Sequence, residues 1–126
     1  KNEWGASRRV DHSDLVEVYL WEGHLEAAWR EAESNGCHDG LWRRLAERRE
    51  KDHPQDAIAV YTDLLKPTLQ YANQRAYEEA IELLRKIHKL AARIAKQSEF
   101  ASLVQSIRVQ HKARRNLMKL LDAESW

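Results

Sequence analysis

Apolar residues recur every three or four positions along most of the chain, the spacing that places side chains on one face of an α-helix. The first stripe follows Asp11 and Ser13, either of which can cap a helix. Gly23 ends this stripe and Leu25 begins the next one. A straight helix would need no glycine there, so the pattern predicts a hairpin of two helices rather than one kinked helix. The first stripe consists of Leu15, Val16, Tyr19 and Leu20.

The middle of the chain continues the helical pattern. The turn formers in "SNGCHDG" precede a third helix over about 41–51, and Pro54 has the position expected of the first turn of a fourth helix. Pro67 either kinks or ends that helix, because proline lacks a backbone donor and clashes with the preceding turn. Leu69 and Ala72 favour a resumption of the helix after the proline.

Two more helices complete the pattern. An amphipathic helix is predicted from Ala76 to Lys96. The last helix, capped by Ser98, carries apolar positions from Phe100 to Leu121. The chain is therefore predicted to be all-α, with about six antiparallel helices arranged in hairpins and no strand.

The bulk composition fits one compact helical domain. The 126 residues include only four glycines and two prolines, and 33% are charged. We expect a flexible segment over residues 1–12 and a single domain over 13–126, as a C-terminal fragment of a larger protein. The sequence has no apolar run of membrane-spanning length and no signal-peptide core, so it is interpreted as cytoplasmic, with no membrane partner.

Two of the predicted hairpins share one spacing, in which a small residue occupies the bend. The increments are four, two, three and four in Tyr19, Gly23, Leu25, Ala28 and Ala32, and again in Ile94, Ser98, Phe100, Leu103 and Ile107. The pattern resembles the tetratricopeptide repeat, whose small residues let two antiparallel helices approach closely. The resemblance implies a short right-handed superhelix that binds a protein partner.

Longer strings carry a second resemblance. The order of "LWEGHLEAAW", "GLWRRLAERREKDHPQDAIAVYTDLL", "RAYEEAIELLRKIHKLAAR" and "HKARRNLMKLLD" is similar to the helical C-terminal region of bacterial SWIM zinc-finger proteins. The match runs from Asp14 to Asp122. It implies a helical partner-binding module attached to an upstream zinc finger that contacts nucleic acid or protein. The Cys-x-Cys and Cys-x-His ligand pairs of that finger have no counterpart here, so zinc is expected only upstream of this sequence.

Chemistry-bearing residues do not form a recognisable site. Cys37 and His38 are adjacent, whereas a nucleophile and its base must meet at about 3 Å with a third group orienting the base. The six histidines lack the i, i+4 pair of a helical metal site. We therefore expect no catalytic residue, no metal site and no cofactor, and interpret the chain as a non-enzyme.

Tryptophans offer a more specific signal. Trp29 and Trp42 recur with alanines at interlocking positions and are predicted to lie in the core. Trp21 lies beside the bend and is only partly aligned with the first stripe, so it is a candidate anchor for a protein partner.

Positive charge is concentrated near the end of the chain. Residues 83–121 contain ten Lys and Arg and a single acidic residue, Glu99. Steps of three and four residues predict one basic stripe on each of the last two helices. The members of this predicted basic face are Arg85, Lys89, Arg93 and Lys96, followed by Arg108, Lys112, Arg115 and Lys119. Three interpretations remain open. The face is solvated or is met by the acidic first half of the chain or by an upstream domain, it binds phosphates, or it binds an acidic protein.

The sequence thus favours a non-catalytic protein-interaction or scaffold module. The alternative is a nucleic-acid-binding accessory domain that uses the basic face. No aromatic residue alternates with those cations, as base stacking would require.

Overall fold

Seven α-helices account for most of the chain that the structure describes. The structure is a computed structural model and describes residues 13–126. No strand occurs within this range, so the all-α prediction is confirmed there, whereas the predicted flexible segment 1–12 lies outside the described residues. The helices are α1 (Ser13–Trp21), α2 (Leu25–Asn35), α3 (Asp39–Arg49), α4 (Pro54–Thr68), α5 (Gln74–Arg93), α6 (Gln97–Gln110) and α7 (Arg115–Ala123).

The junction between α1 and α2 is a left-handed helix cap. Gly23 has φ +82° and donates its N–H to the carbonyl of Leu20 at 3.1 Å. The N–H of His24 donates to the carbonyl of Tyr19 at 2.8 Å. These two bonds satisfy carbonyls that the end of α1 would otherwise leave unpaired. The predicted hairpin is confirmed, with α1 and α2 packed on each other.

The junction between α5 and α6 uses the same kind of cap at another residue. Ala95 has φ +57°, and the next N–H, that of Lys96, donates to the carbonyl of Ala91 at 2.8 Å. Ser98 lies inside α6 and does not cap it, so the alignment of Ser98 with Gly23 is wrong by three residues. Three residues are close to one helical turn, which is why the misaligned stripe still indicated the correct buried face.

Pro67 lies in the last turn of its helix, and the segment after Thr68 is not helical. Helix α4 ends at Thr68, so the predicted resumption through Leu69 and Ala72 is wrong. Leu69 is nevertheless buried, and its N–H donates to the carbonyl of Leu65 at 2.9 Å. Leu69 is therefore a core residue that belongs to the loop after the helix.

The predicted last helix is two helices, α6 and α7. A turn over residues 111–114 separates them, with the N–H of Arg114 donating to the carbonyl of His111 at 2.9 Å. The Arg114 side chain also donates from Nη1 to the carbonyl of Leu69 at 2.6 Å. Neither proline nor glycine marks this break in the sequence, so the helical pattern continued through it.

The chain divides into two compact units, Lys1–Lys51 and Asp52–Trp126, called here the N-terminal and C-terminal units. The division reflects only how compactly each part is packed. It tests neither the prediction of one domain over 13–126 nor that of a right-handed superhelix, so both stay predictions. Within the N-terminal unit, α1, α2 and α3 pack on one another. Their shared core consists of Val16, Leu20, Ala28, Trp29, Ala32, Leu41, Leu45 and Ala46.

Trp29 organises the core of the N-terminal unit. It is buried and meets half-buried Trp42 edge to face, with ring centroids 5.6 Å apart. The guanidinium of buried Arg49 lies 4.3 Å from the centroid of the Trp29 ring and pairs with Glu26 at 3.2 Å. Stacking on the indole and pairing with a carboxylate offset the desolvation free energy of burying this cation.

Helix α5 is the centre of the C-terminal unit, since α4, α6 and α7 all pack against it. Its buried positions follow a helical period and end at Ala91. Asn73 caps its start by accepting the N–H of Ala76 at 2.8 Å. The buried residues of α5 are Ala76, Tyr77, Ala80, Ile81, Leu83, Leu84, Ile87, Leu90 and Ala91.

Candidate interaction surfaces

Helix α1 exposes three large apolar side chains. Trp21 is 87% exposed, Val18 48% and Leu15 40%. They follow one another at steps of three residues, so they lie along one side of the helix. We call these three residues the α1 strip.

The opposite side of α1 is also apolar. Val16 and Leu20 are buried in the core of the N-terminal unit, and Tyr19 is half-buried. Leu15 was predicted on the same stripe and is instead exposed, because its step from Val16 turns it away from α2 and α3. A helix that is apolar on both sides is usually covered on both sides. The exposed side of α1 therefore has the character of an interface.

Acidic side chains border the α1 strip. Asp14, Glu17 and Glu22 are exposed on or beside the helix, and no Lys or Arg occurs over residues 13–29. Glu17 lies 3.7 Å from a guanidinium nitrogen of Arg44, in a pair exposed to solvent. Solvent screening makes this pair weak, so the surroundings of the strip keep a negative character.

Internal ion pairs neutralise part of the predicted basic face. Arg85 pairs with Glu124 at 2.7 Å, and Arg108 pairs with Asp122 at 2.8 Å. Both carboxylates lie at or near the end of α7. These ion-pair partners lie at the end of the chain, whereas the sequence had suggested its acidic first half or an upstream domain.

The two predicted basic stripes are also shorter than the sequence indicated. Lys96 lies beyond the end of α5 and pairs with Glu99 at 3.2 Å. In the second stripe, Arg108 is on α6, Lys112 is in the turn, and Arg115 and Lys119 are on α7. The break at 111–114 therefore corrects the prediction of one continuous stripe, since only Arg115 and Lys119 share a helix.

Three cations near the turn have no acidic partner in the part of the chain that the structure describes. Lys112, Arg115 and Lys119 are exposed. Within residues 13–126, no carboxylate oxygen lies within 4.0 Å of their side-chain nitrogens. Together these residues form a positive surface at the start of α7, which we call the α7 cation cluster.

The fold attaches the loop between α4 and α5, which contains an exposed aromatic residue, to the α6–α7 turn. The bond from Arg114 to the carbonyl of Leu69 fixes the α6–α7 turn against the loop between α4 and α5. Tyr71 lies two residues beyond Leu69 and is 65% exposed. Sequence reasoning missed Tyr71, which is 41 positions before Lys112. The only available signal was an aromatic residue in a loop that no helical stripe explains.

His111 lies in the same turn. Partial burial lowers its pKa, and the nearby positive charge of Arg114 lowers it further. Both causes disfavour the imidazolium form. The direction of the shift agrees with a positive electrostatic potential at the turn.

The chain matches no family model, no curated protein and no solved structure. The resemblances to the tetratricopeptide repeat and to SWIM zinc-finger proteins accordingly stay predictions.

Residues considered for chemistry are placed in structural roles. The Nδ1 atom of His38 accepts the N–H of Leu41 at 3.3 Å and so caps α3, while the backbone N–H of His38 donates to Ser13 Oγ at 3.1 Å. Cys37 is half-buried. Within residues 13–126 no three potential ligands are grouped to hold a metal ion, and no helix there has the length and hydrophobicity of a transmembrane span.

A cleft of about 390 Å³ lies in the C-terminal unit. Three aromatic rings line it, with centroid separations of 4.9 Å for His88 and Phe100, 5.3 Å for Phe100 and Trp126, and 5.8 Å for His88 and Trp126. At these distances the rings contact one another, so a ligand cannot lie between them. They form a small packed cluster at the edge of the core.

Proposed function

We propose that the chain is a non-catalytic protein-interaction module whose N-terminal unit binds a partner through the α1 strip. The observation that carries the proposal is the exposure of Trp21, Val18 and Leu15 along one side of a helix whose other side is already core. Isolated exposed apolar residues are ordinary on protein surfaces, whereas a contiguous group on one helix marks a binding surface.

Trp21 is the anchor of this surface. Tryptophan is enriched among the residues that dominate binding energy, since it buries a large area while losing few rotamers. Truncating such an anchor typically costs about 2 kcal/mol or more of binding free energy. Val18 and Leu15 extend the contact along the helix and exclude water from its edge.

The partner segment is an amphipathic helix with basic flanks. An apolar strip on a helix fits a second helix that presents apolar residues at i, i+3, i+4 and i+7. Asp14, Glu17 and Glu22 favour Lys and Arg at the rim of the partner, because opposite charges speed association and reject acidic competitors.

A displayed library of helical peptides tests the proposal. The library has random residues at every position, and selection is made on the 126-residue chain. We expect the enriched peptides to carry an apolar helical stripe with flanking Lys or Arg. A synthetic copy of the best peptide should bind Trp21→Ala at least about thirtyfold more weakly than wild type.

Tyr71→Ala is the matched control, because it truncates another well-exposed aromatic residue in the other unit. It should bind the selected peptide as wild type does. Reversing the peptide's flanking charges to Glu should weaken binding, most strongly at low salt. Equal binding by wild type and Trp21→Ala would refute the assignment of the α1 strip.

A further inference from the structure

We propose that the C-terminal unit binds single-stranded nucleic acid at the α7 cation cluster, with phosphates held by Lys112, Arg115 and Lys119 and a base stacked on Tyr71. This inference concerns another surface and another class of ligand than the protein-binding α1 strip. It replaces the continuous basic face that the sequence predicted with a smaller site centred on the α6–α7 turn.

The three cations of the cluster form no ion pair within residues 13–126. No acidic residue occurs between Phe100 and Leu121. The two acids that follow, Asp122 and Glu124, are engaged by Arg108 and Arg85. Those ion pairs leave the three cations at the start of α7 without an acidic partner among residues 13–126. Exposed cations of this kind bind phosphates by displacing condensed counterions.

The spacing of the cations suits an extended strand. Arg115 and Lys119 are four residues apart on α7, which separates them by about 6 Å along the helix axis and places them on the same face. Lys112 precedes them in the turn and extends the positive surface beyond the helix. A backbone that passes along this surface meets one cation after another.

Arg114 is the positioning residue of the site. Its Nη1 donates to the carbonyl of Leu69, and its guanidinium lies 5.9 Å from the centroid of the Tyr77 ring. Because Tyr71 follows Leu69 by two residues, its Cα lies within about 7 Å of the Cα of Leu69. The loop that contains the exposed Tyr71 is therefore attached to the α6–α7 turn by the hydrogen bond that Arg114 donates.

An exposed aromatic ring beside cations favours a nucleic acid over an acidic peptide. Every base has a flat face that stacks on tyrosine, whereas Asp and Glu side chains offer none. A single strand is favoured over a duplex, because the bases of a duplex are already stacked inside it. The site reads charge and flatness, so weak sequence preference is expected.

Fluorescence anisotropy with labelled fifteen-nucleotide oligothymidylate and oligouridylate, at about 50 mM KCl, tests the inference. The wild-type chain should bind at least one of the two probes. Tyr71→Ala should weaken binding about tenfold, and Tyr71→Phe should restore it, since stacking needs the ring and not the hydroxyl. The combined variant Lys112→Glu, Arg115→Glu and Lys119→Glu should abolish binding.

A second triple variant, Arg30→Glu, Arg48→Glu and Lys89→Glu, is the matched control. It changes the net charge by the same amount at exposed positions outside the loop of Tyr71 and the α6–α7 turn. It should retain most of the affinity, while neutralising Lys112, Arg115 and Lys119 one at a time should each lower the salt slope by about 0.7. The far-ultraviolet circular dichroism of all variants should match wild type, because every altered side chain is exposed.

Several results would overturn the inference. Absence of binding at low salt would remove it, since phosphate contacts are strongest there. An equal loss of affinity in both triple variants would show nonspecific charge attraction. Displacement of the probe by polyglutamate at the same charge concentration would point to an acidic protein as the ligand. The α1 strip takes part in none of these measurements, so either proposal can fail alone.

Discussion

Arg85 of α5 and Glu124 at the end of α7 form a two-pronged ion pair although they are 39 positions apart in the chain. The Nε–Oε1 distance is 3.1 Å and the Nη2–Oε2 distance is 2.7 Å. The paired hydrogen bonds raise the pKa of Arg85 and lower the pKa of Glu124. The pair fastens the end of α7 to the central helix of its unit.

Replacing Glu124 with Gln should lower the melting temperature slightly at neutral pH, because the charge is lost while the shape is kept. A carboxyl whose pKa is lowered by folding stabilises above its ordinary pKa, and this stability is lost as the pH falls through the lowered folded pKa. The difference between Glu124→Gln and wild type should therefore vanish in acid. Thermal unfolding from pH 7 down to pH 2 measures it.

Salt provides the control for the Glu124 variant. The pair is exposed at the Arg85 side, so about 1 M NaCl should shrink the difference at neutral pH. A difference that is unchanged in acid and in salt would mean that Glu124 acts through packing and not through its charge.

His111 should also make the protein less stable as the pH falls, because folding disfavours protonation of its imidazole. Its pKa is lowered by burial and by Arg114, so the unfolded chain binds the proton more readily. The free energy of unfolding should fall as the pH drops below about 6.5, until the folded pKa is passed. His111→Gln should remove this part of the slope.

Urea unfolding at several pH values between 5 and 8.5 tests the His111 prediction. Above pH 7.5 the slopes of wild type and His111→Gln should coincide, because the imidazole is neutral in both states there. Identical slopes over the whole range would contradict the assignment of the acid-sensitive term to His111.

The two left-handed caps predict that reverse substitutions change the free energy of unfolding in opposite directions. Gly23→Ala should lower the free energy of unfolding by about 1 kcal/mol, because φ is +82° there and a Cβ is disfavoured whatever the space around it. Ala95→Gly should raise it by about 0.5 kcal/mol, since relief at φ +57° exceeds the added freedom of the unfolded chain. Chemical denaturation measures both changes.

Gly40→Ala distinguishes this cause from general helix propensity. Gly40 lies inside α3, and an added Cβ would come no closer than 3.4 Å to the His38 ring. The substitution should stabilise by about 0.5 kcal/mol. Destabilisation at Gly40 as large as at Gly23 would remove the left-handed conformation as the explanation.

Trp126 contains a buried donor without a partner. Its Nε1 is inaccessible to solvent and no acceptor among the described residues lies within hydrogen-bonding distance. Trp126→Phe removes this donor and keeps a ring against Phe100 and His88, so unfolding free energy should stay within about 0.5 kcal/mol of wild type. Trp126→Ala should lose about 2 kcal/mol. Equal losses in both variants would show that the indole N–H has a partner.

Local chemistry explains which parts of the fold were predictable. Gly23 predicts a helix cap because glycine adopts positive φ without strain, and a cap between two apolar stripes predicts a hairpin. Ala95 adopts the same conformation without any such signal. At the break between α6 and α7, Arg114 contacts Leu69, which is 45 positions away in the chain. The periodicity of neighbouring residues gives no information about a contact between residues so far apart in the chain.

The surfaces follow the same division. The irregular placement of Trp21 beside a bend correctly raised it as a candidate for exposure, since that depends on local phase. The sequence shows which residues are basic but not which acids pair with them. Arg108 pairs with Asp122, 14 positions away, because a turn between two helices brings them together. Charge along a sequence therefore predicts potential ligands of phosphate, and only the fold shows which of them are engaged.

The exposure of Trp21 also provides a label-free optical signal. An indole in water emits at longer wavelength than one in an apolar interior, so wild-type emission contains a red component that Trp21→Phe lacks. Covering the side chain moves that component towards the blue. Binding of a partner to the N-terminal unit can thus be followed by the difference between the emission spectra of wild type and Trp21→Phe, without a dye or a tag.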